Sequence, residues 1–121
     1  MSTLVSNCRV VSPDIDLPGA SVLVEGKTIA GVYPAGQKAP AADTVFDAGG
    51  AMLAPGFIDI HFHGAVGYDN TDGTVEAIER IAEAMLRDGV TTICPTTLTL
   101  PEGQLADSLR AVAAYAAKPT F

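Results

Sequence analysis

The pattern of apolar residues changes near Pro55, and this change limits the possible folds more than any other feature of the sequence. Before it, short segments with strand propensity are separated by turn residues, whereas after it strand-like and helix-like segments alternate. Apolar strands that alternate with helices are typical of parallel βα units. We therefore predict an α/β protein, with a small β-domain segment in residues 1–54 and the start of a larger βα domain in residues 55–121.

The first half is predicted to form strands at residues 4–11, 20–24, 28–33 and 44–46. Ser12-Pro13-Asp14 ends the first of them. The second and third are predicted to form a hairpin, because Gly26 between them supplies the positive φ that a tight turn needs. Residues 34–43 are rich in Ala, Pro and Gly and are predicted to be a loop.

The second half is predicted to contain two strand–helix pairs, with strands at 57–63 and 90–99 and helices at 74–87 and from 101 onward. The apolar residues of the first helix recur at helical spacing, namely Val75, Ile78, Ile81, Ala82, Met85 and Leu86. Asp72 or Thr74 is placed to cap its start, and Gly89 follows its end. Pro119 is predicted to stop the second helix.

The length of the chain excludes a complete (β/α)₈ barrel. The sequence has 121 residues, whereas such a barrel needs about 200 or more. Two βα units cannot close a barrel, and the edge of the second strand would present unpaired backbone groups. We therefore expect the chain to be the beginning of a larger protein that contains an incomplete TIM barrel.

Charge and composition exclude several other classes of protein. Seven Lys and Arg residues against 14 Asp and Glu give a net charge of −7, which argues against nucleic-acid binding. No run of about 18 apolar residues and no signal peptide is present, so we expect no membrane span. Cys8 and Cys94 lack disulfide or zinc-site spacing, and a cytoplasmic setting is expected.

Both histidines of the chain lie two residues apart in the strand predicted at 57–63. Side chains alternate along a strand, which predicts that Asp59, His61 and His63 share one face. Ile58, Ile60 and Phe62 are then expected to pack outward against the helix at 74–87. At a spacing of about 6.5–7 Å, both imidazoles can reach one ion at ~2.0–2.1 Å. The pair therefore indicates a divalent-metal site, although a His-x-His pair on a strand also occurs without a ligand.

The residues around this pair carry a resemblance to a known family. Residues 54–64, APGFIDIHFHG, resemble the first barrel strand of the amidohydrolase superfamily. Gly64, Gly67-Tyr68-Asp69 and residues 89–99, GVTTICPTTLT, resemble the N-acetylglucosamine-6-phosphate deacetylases within it. The hairpin around Gly26 is similar to the small β-domain that precedes the barrel in this family, so the resemblance covers nearly the whole chain.

The resemblance implies hydrolysis of the acetamide of N-acetylglucosamine 6-phosphate to glucosamine 6-phosphate and acetate, by a metal-activated water. His61 and His63 match the first-strand metal ligands of the family, with zinc expected, iron as the alternative, and a second ion suggested by the pair. The family's remaining ligands and its catalytic Asp have no counterpart in these residues. The resemblance thus places no catalytic residue in this chain, which is expected to be inactive alone, and a homodimer is expected for the full-length form.

Other residues are weaker candidates. Asp59 could support the metal ligands or make structural hydrogen bonds. Tyr68 or Asp69 could contact the sugar, or residues 64–73 could be only a permissive loop, and no substrate-binding residue is assigned. Thr96, Thr97 and Thr99 could face a barrel interior or simply reflect strand propensity. Cys94 is expected to be a small core residue, because no base accompanies it.

Two alternatives to a deacetylase stay open. The first is a different amidohydrolase, such as a dihydroorotase-like enzyme or an amino-acid deacylase. The second is a non-catalytic β-rich binding or interaction domain, in which the two histidines are structural. The second alternative also needs a partner that covers the open edge of the sheet.

Overall fold

In the computed structural model, which describes residues 1–120, the chain divides into two units. The first unit is Met1–Pro55, and the second begins at Gly56. Phe121, the last residue of the predicted βα segment, lies outside the described residues. The assignment of the two units to a small β-domain and to a barrel stays a prediction.

The first unit is a five-stranded sheet. Its strands are β1 (Ser2–Ser12), β2 (Ile15–Glu25), β3 (Thr28–Tyr33), β4 (Thr44–Asp47) and β5 (Met52–Leu53). The order is β3-β2-β1-β4, and β5 also pairs with β1. β2 is antiparallel to both β1 and β3, whereas β4 and β5 are parallel to β1.

Two tight turns determine the antiparallel part of this sheet. Gly26 has a φ of 59° between β2 and β3, so the predicted hairpin is confirmed. The other turn lies at Pro13-Asp14, and it joins β1 and β2 in a longer hairpin. The prediction that the second strand begins at residue 20 was therefore wrong, because pairing with β1 extends β2 back to Ile15.

A bulge in β1 lets it change its parallel partner. Asn7 has a φ of 52°, a region that asparagine tolerates better than most residues, and the register with β2 shifts between Val5 and Cys8. Before the bulge β1 pairs with β4, and after it with β5. Cys8 is fully buried here, and its Sγ donates to the carbonyl oxygen of Ala20 at 3.3 Å. The buried apolar residues of this unit are Cys8, Ala20, Val22 and Leu23.

The second unit contains four strands and two helices. They are β6 (Phe57–Phe62), β7 (Gly64–Ala65), β8 (Tyr68–Asp69), α1 (Val75–Arg87), β9 (Val90–Pro95) and α2 (Glu102–Ala117). A single-turn 3₁₀ helix, Asn70–Asp72, precedes α1. β6 and β9 are parallel and are connected through α1, which confirms the predicted βα arrangement. β7 and β8 form a small antiparallel pair.

The start and end of α1 follow the sequence signals. Thr74 is the N-cap, and its side chain accepts a hydrogen bond from the backbone N–H of Ala77 at 3.2 Å. Asp72 instead bonds the backbone N–H of Asp69 and so closes the 3₁₀ turn. Gly89, with a φ of 84°, lies just past the end of the helix. Ile78 and Ile81 are buried, as the helical spacing predicted.

Two expectations for this unit were wrong. β9 ends at Pro95 rather than at residue 99. Ile58 and Ile60 are 64% and 77% exposed, because the main packing partners of α1 are α2, β7, β8 and β9 rather than β6. Phe62 is half-buried.

Both cysteines are free, Cys8 buried and Cys94 exposed. Neither helix of residues 1–120 combines the length and apolar character that crossing a bilayer requires.

Candidate metal centre

The two histidine rings lie side by side at the carboxyl end of β6. His61 is within the strand, and His63 follows its last residue. Their ring centroids are 5.3 Å apart, and the ring planes are nearly perpendicular, at 87°. The rings thus lie together, as expected for residues two apart on an extended segment. His61 is exposed and His63 is half-buried.

The ring of His63 has one nitrogen held by the neighbouring strand. Its Nδ1 lies 3.1 Å from the carbonyl oxygen of Thr96, which follows the end of β9. A carbonyl oxygen only accepts hydrogen bonds, so Nδ1 is the donor and carries the proton. The neutral ring then has its free electron pair on Nε2. Metal-binding histidines usually donate their other ring N–H to a carbonyl or carboxylate in this way.

The end of β6 is held by two residues outside the strand. The carbonyl oxygen of Phe62 accepts the backbone N–H of Thr96 at 2.9 Å and the Nδ2 of Asn70 at 2.8 Å. The backbone N–H of Asn70 also donates to the carbonyl oxygen of His63 at 2.7 Å. Asn70 was not predicted as a site residue, because an asparagine in a glycine-rich loop is typical of a turn. Thr96 was a candidate only for its side chain, which donates to the carbonyl oxygen of Cys94.

Gly64 allows a small hairpin to fold beside the histidines. A Cβ atom at this position would collide with the backbone oxygen of Tyr68. Gly64 therefore permits a close backbone approach that a side chain would prevent. Val66 and Gly67, with φ of 50° and 85°, form the turn between β7 and β8. Residues 64–73 are consequently an ordered hairpin and 3₁₀ turn rather than an irregular loop.

The two carboxylates nearest in sequence make local hydrogen bonds. Asp59 Oδ1 accepts from the backbone N–H of His61 at 3.1 Å. Asp69 caps the 3₁₀ turn, and hydrogen bonds from the side chain and backbone of Thr71 hold the pKa of its carboxyl below the ordinary value. Within residues 1–120, no group of three or more His, Cys, Asp or Glu is placed to hold a metal ion.

The remaining candidates are not drawn into one cluster. Tyr68 and Thr99 are exposed, and Thr97 is half-buried. Cys94, expected in the core, is exposed, so that expectation was wrong. A functional role for Tyr68, Asp69 and the threonines stays a prediction.

The donor set fits the first two ligands of a divalent ion. Imidazole nitrogen is a good ligand for zinc and for iron. Two imidazoles that bind one tetrahedral ion at ~2.0–2.1 Å place their ring centres roughly 5 Å apart. The observed separation of 5.3 Å agrees with this, and the bond from His63 to Thr96 leaves Nε2 free.

Comparison with known proteins connects this arrangement to one family. The model of the amidohydrolase family matches residues 52–121. The N-acetylglucosamine-6-phosphate deacetylase of Mus musculus is 41% identical over 63 residues, which cover 50% of this chain and 15% of that protein. The dihydroorotase of Staphylococcus aureus (strain Mu50) is 34% identical over 99 residues, 81% of this chain and 22% of that protein. The chain thus spans less than a quarter of these curated relatives.

Solved structures show the same relationship. N-acetylglucosamine-6-phosphate deacetylase from Pasteurella multocida superposes with a TM-score of 0.87 at 25% identity, over 99% of this chain and 32% of that one. A triazine hydrolase variant superposes with a TM-score of 0.70 at 17% identity, over 95% of this chain and 34% of that one. The second likeness is one of fold alone.

Proposed function

This chain belongs to the amidohydrolase family, and from that premise we propose that it supplies His61 and His63 as metal ligands to a deacetylase acting on N-acetylglucosamine 6-phosphate. Deacetylase relatives support this substrate in both comparisons, by 41% sequence identity over half of the chain and by a TM-score of 0.87 over 99% of it. The reaction adds water across the acetamide C–N bond and yields acetate and the free amine of glucosamine 6-phosphate.

One observation carries the proposal: the adjacent imidazoles, of which His63 has its Nδ1 bonded to the carbonyl oxygen of Thr96. This bond selects the tautomer with Nε2 free. A backbone carbonyl cannot rotate away as a side chain can, so the tautomer is set by the pairing of two strands. A ring held in this way loses less freedom when an ion binds.

When bound, a divalent ion acts as a Lewis acid that polarises the amide carbonyl and acidifies water. The chain's own contribution is to bind and orient that ion through His61 and His63. Two ligands hold an ion weakly, and residues 1–120 contain no third. The other ligands, the catalytic carboxylate and most of the sugar pocket then come from outside these residues, so the chain alone is inactive.

The same proposal assigns the architecture. In this proposal β6 and β9 are the first two strands of a TIM barrel, and the first unit is part of a small β-domain. Active sites of such barrels lie at the carboxyl ends of the strands, where the histidines are found. The ion is zinc, with iron as the alternative, and the working enzyme is a cytoplasmic homodimer.

The first test measures metal content and acetate release by the complete enzyme that includes this chain. We expect a bound divalent ion and acetate from N-acetylglucosamine 6-phosphate, with no acetate from residues 1–121 alone. Replacing His61 or His63 with alanine is expected to lower kcat/KM by about a hundredfold or more, because a metal ligand is lost. Arg110→Ala, an exposed change in α2, is the matched control. A metal-free, inactive complete protein would favour a binding domain instead.

Dihydroorotase activity is the second candidate. The dihydroorotase relatives match 81% of the chain, a longer alignment than the deacetylase relatives give. Dihydroorotase activity would open a cyclic amide and would draw on the same metal chemistry. Including dihydroorotate in the substrate panel separates the two, since turnover of the cyclic amide without release of acetate would contradict the deacetylase proposal.

A further inference from the structure

Asn70 is a buried polar residue beside the candidate metal centre. Its side chain is 0% exposed, although it follows a glycine-rich hairpin on the surface. Its backbone N–H donates to the carbonyl oxygen of His63 at 2.7 Å, and its Nδ2 donates to that of Phe62 at 2.8 Å. Its Oδ1 has no hydrogen-bond partner within residues 1–120. An unpaired buried acceptor is destabilising, so packing alone does not account for an asparagine at this position.

The two carbonyl groups that Asn70 binds belong to the residues where β6 leaves its ladder. The last strand pair joins Phe62 to Pro95, and no strand pair includes His63. The backbone of His63 therefore depends on Asn70 for its hydrogen bond, while its ring depends on the carbonyl oxygen of Thr96. The backbone of His63 is thus held by Asn70, and its ring is held by Thr96 from a different segment.

We propose that the side chain of Asn70 is a positioning group for the metal centre: its amide holds the carbonyl group of Phe62, which shares a peptide plane with the N–H of His63, so that Nε2 of His63 is aimed for an ion. This inference rests on the proposed metal-binding function of His61 and His63. Rotation of the His63 peptide would swing the ring away from Thr96, and the imidazole would then lose its fixed tautomer. Asn70 acts through the backbone and does not itself bind the ion.

Two variants separate positioning from charge. Asn70→Ala removes the amide donor and the unpaired acceptor together. Asn70→Asp keeps nearly the same shape but replaces the donor with an oxygen that repels the carbonyl oxygen of Phe62. An added negative charge near the rings would by itself strengthen cation binding, so weaker binding by the aspartate variant points to the lost donor.

The experiment measures zinc affinity by competition with a chelator, together with the tautomer of His63 by ¹⁵N NMR in the metal-free protein, using the complete protein. Both variants are expected to bind zinc about ten- to a hundredfold more weakly, as is typical when a group supporting a metal ligand is removed. Both are also expected to lose the uniform Nδ1–H form of His63. Ile81→Val, a core change in α1 with its own stability cost, is the control and is expected to leave both readouts unchanged.

The outcomes distinguish this inference from the proposed function. If the unaltered protein binds zinc through its histidines and both variants match it in affinity and tautomer, the role of Asn70 is overturned while the metal site stands. Tighter zinc binding by Asn70→Asp would also overturn it. If the unaltered protein binds neither zinc nor iron, the proposed function fails, and the metal-free tautomer alone decides whether Asn70 positions His63.

Discussion

β1 and β6 are the leading strands of their units, and they are held in different ways. β1 has strand partners on both edges, with β2 on one side and β4 and β5 on the other. β6 pairs with β9 alone among residues 1–120, and its Ile58 and Ile60 are exposed. Order in β1 comes from the ladder itself, whereas the carboxyl end of β6 is ordered by Asn70 and Thr96.

The difference separates a strand that is paired on both edges from one whose carboxyl end holds the candidate metal ligands. A fully paired strand satisfies its backbone groups with other strands and has few free positions at its end. At the end of β6 the ladder stops, and side chains and loop residues complete the hydrogen bonding instead. The histidines lie where this change occurs, so they can be oriented by a few individual contacts.

The largest loss of stability is expected from truncating a buried side chain in either unit. This change tests whether the two units have independent cores. Ile81 in α1 and Leu23 in β2 are both buried. Replacing either with alanine is expected to destabilise the protein by about 2–5 kcal/mol, because a cavity is left behind. Hydrogen exchange should show lost protection in α1 and β9 for Ile81→Ala, and in β1 and β2 for Leu23→Ala.

Each of these variants is the control for the other. Loss of protection across both units from either substitution would contradict the independence of the two cores. Zinc affinity gives a further check, since Leu23→Ala is expected to leave it unchanged.

A smaller effect is expected at the start of α1. The Thr74 side chain accepts a hydrogen bond from the N–H of Ala77, and the helix follows directly on the hairpin and 3₁₀ turn beside the histidines. Thr74→Ala is expected to cost about 1 kcal/mol through loss of the cap. Chemical denaturation measures the cost, and Thr74→Ser, which keeps the hydroxyl, is expected to restore most of it. A full loss in the serine variant as well would show that packing of the methyl group is responsible.

Local signals account for the parts of the fold that the sequence predicted. Gly26 between two β-rich segments predicts a hairpin, because the required φ is a property of that residue. Thr74 precedes and Gly89 follows a segment with helical periodicity, and both lie at the ends of α1 as expected. The histidine pair was also visible, since alternation along a strand places His61 and His63 together.

The parts that were missed depend on contacts distant in sequence. β5 has only two residues, and it exists because the bulge at Asn7 lets β1 take a second parallel partner. Exposure of Ile58 and Ile60 follows from where α1 lies, which periodicity does not determine. The sequence contains no pattern that identifies Asn70. Its hydrogen bonds are to the carbonyl oxygens of Phe62 and His63, which lie near it only once the end of β6 has folded.

The smallest effect is expected from removing an exposed ion pair in the β1–β2 hairpin. This hairpin contains β1, the strand that is paired on both edges. Arg9 Nε donates to Asp16 Oδ1 at 2.8 Å, and this hydrogen bond with the charge of Arg9 holds the pKa of Asp16 below its ordinary value. A carboxyl with a lowered folded pKa stabilises the fold above its ordinary pKa, and that contribution disappears as the pH falls through the folded value. Asp16→Asn should therefore lower Tm slightly at pH 7 and match the unaltered protein well below about pH 4. Because the pair is exposed, the difference should also shrink in 1 M salt. Asp14→Asn, in the same hairpin turn, is the control, and a Tm difference that widens on acidification would show that the Arg9 pair is not its source.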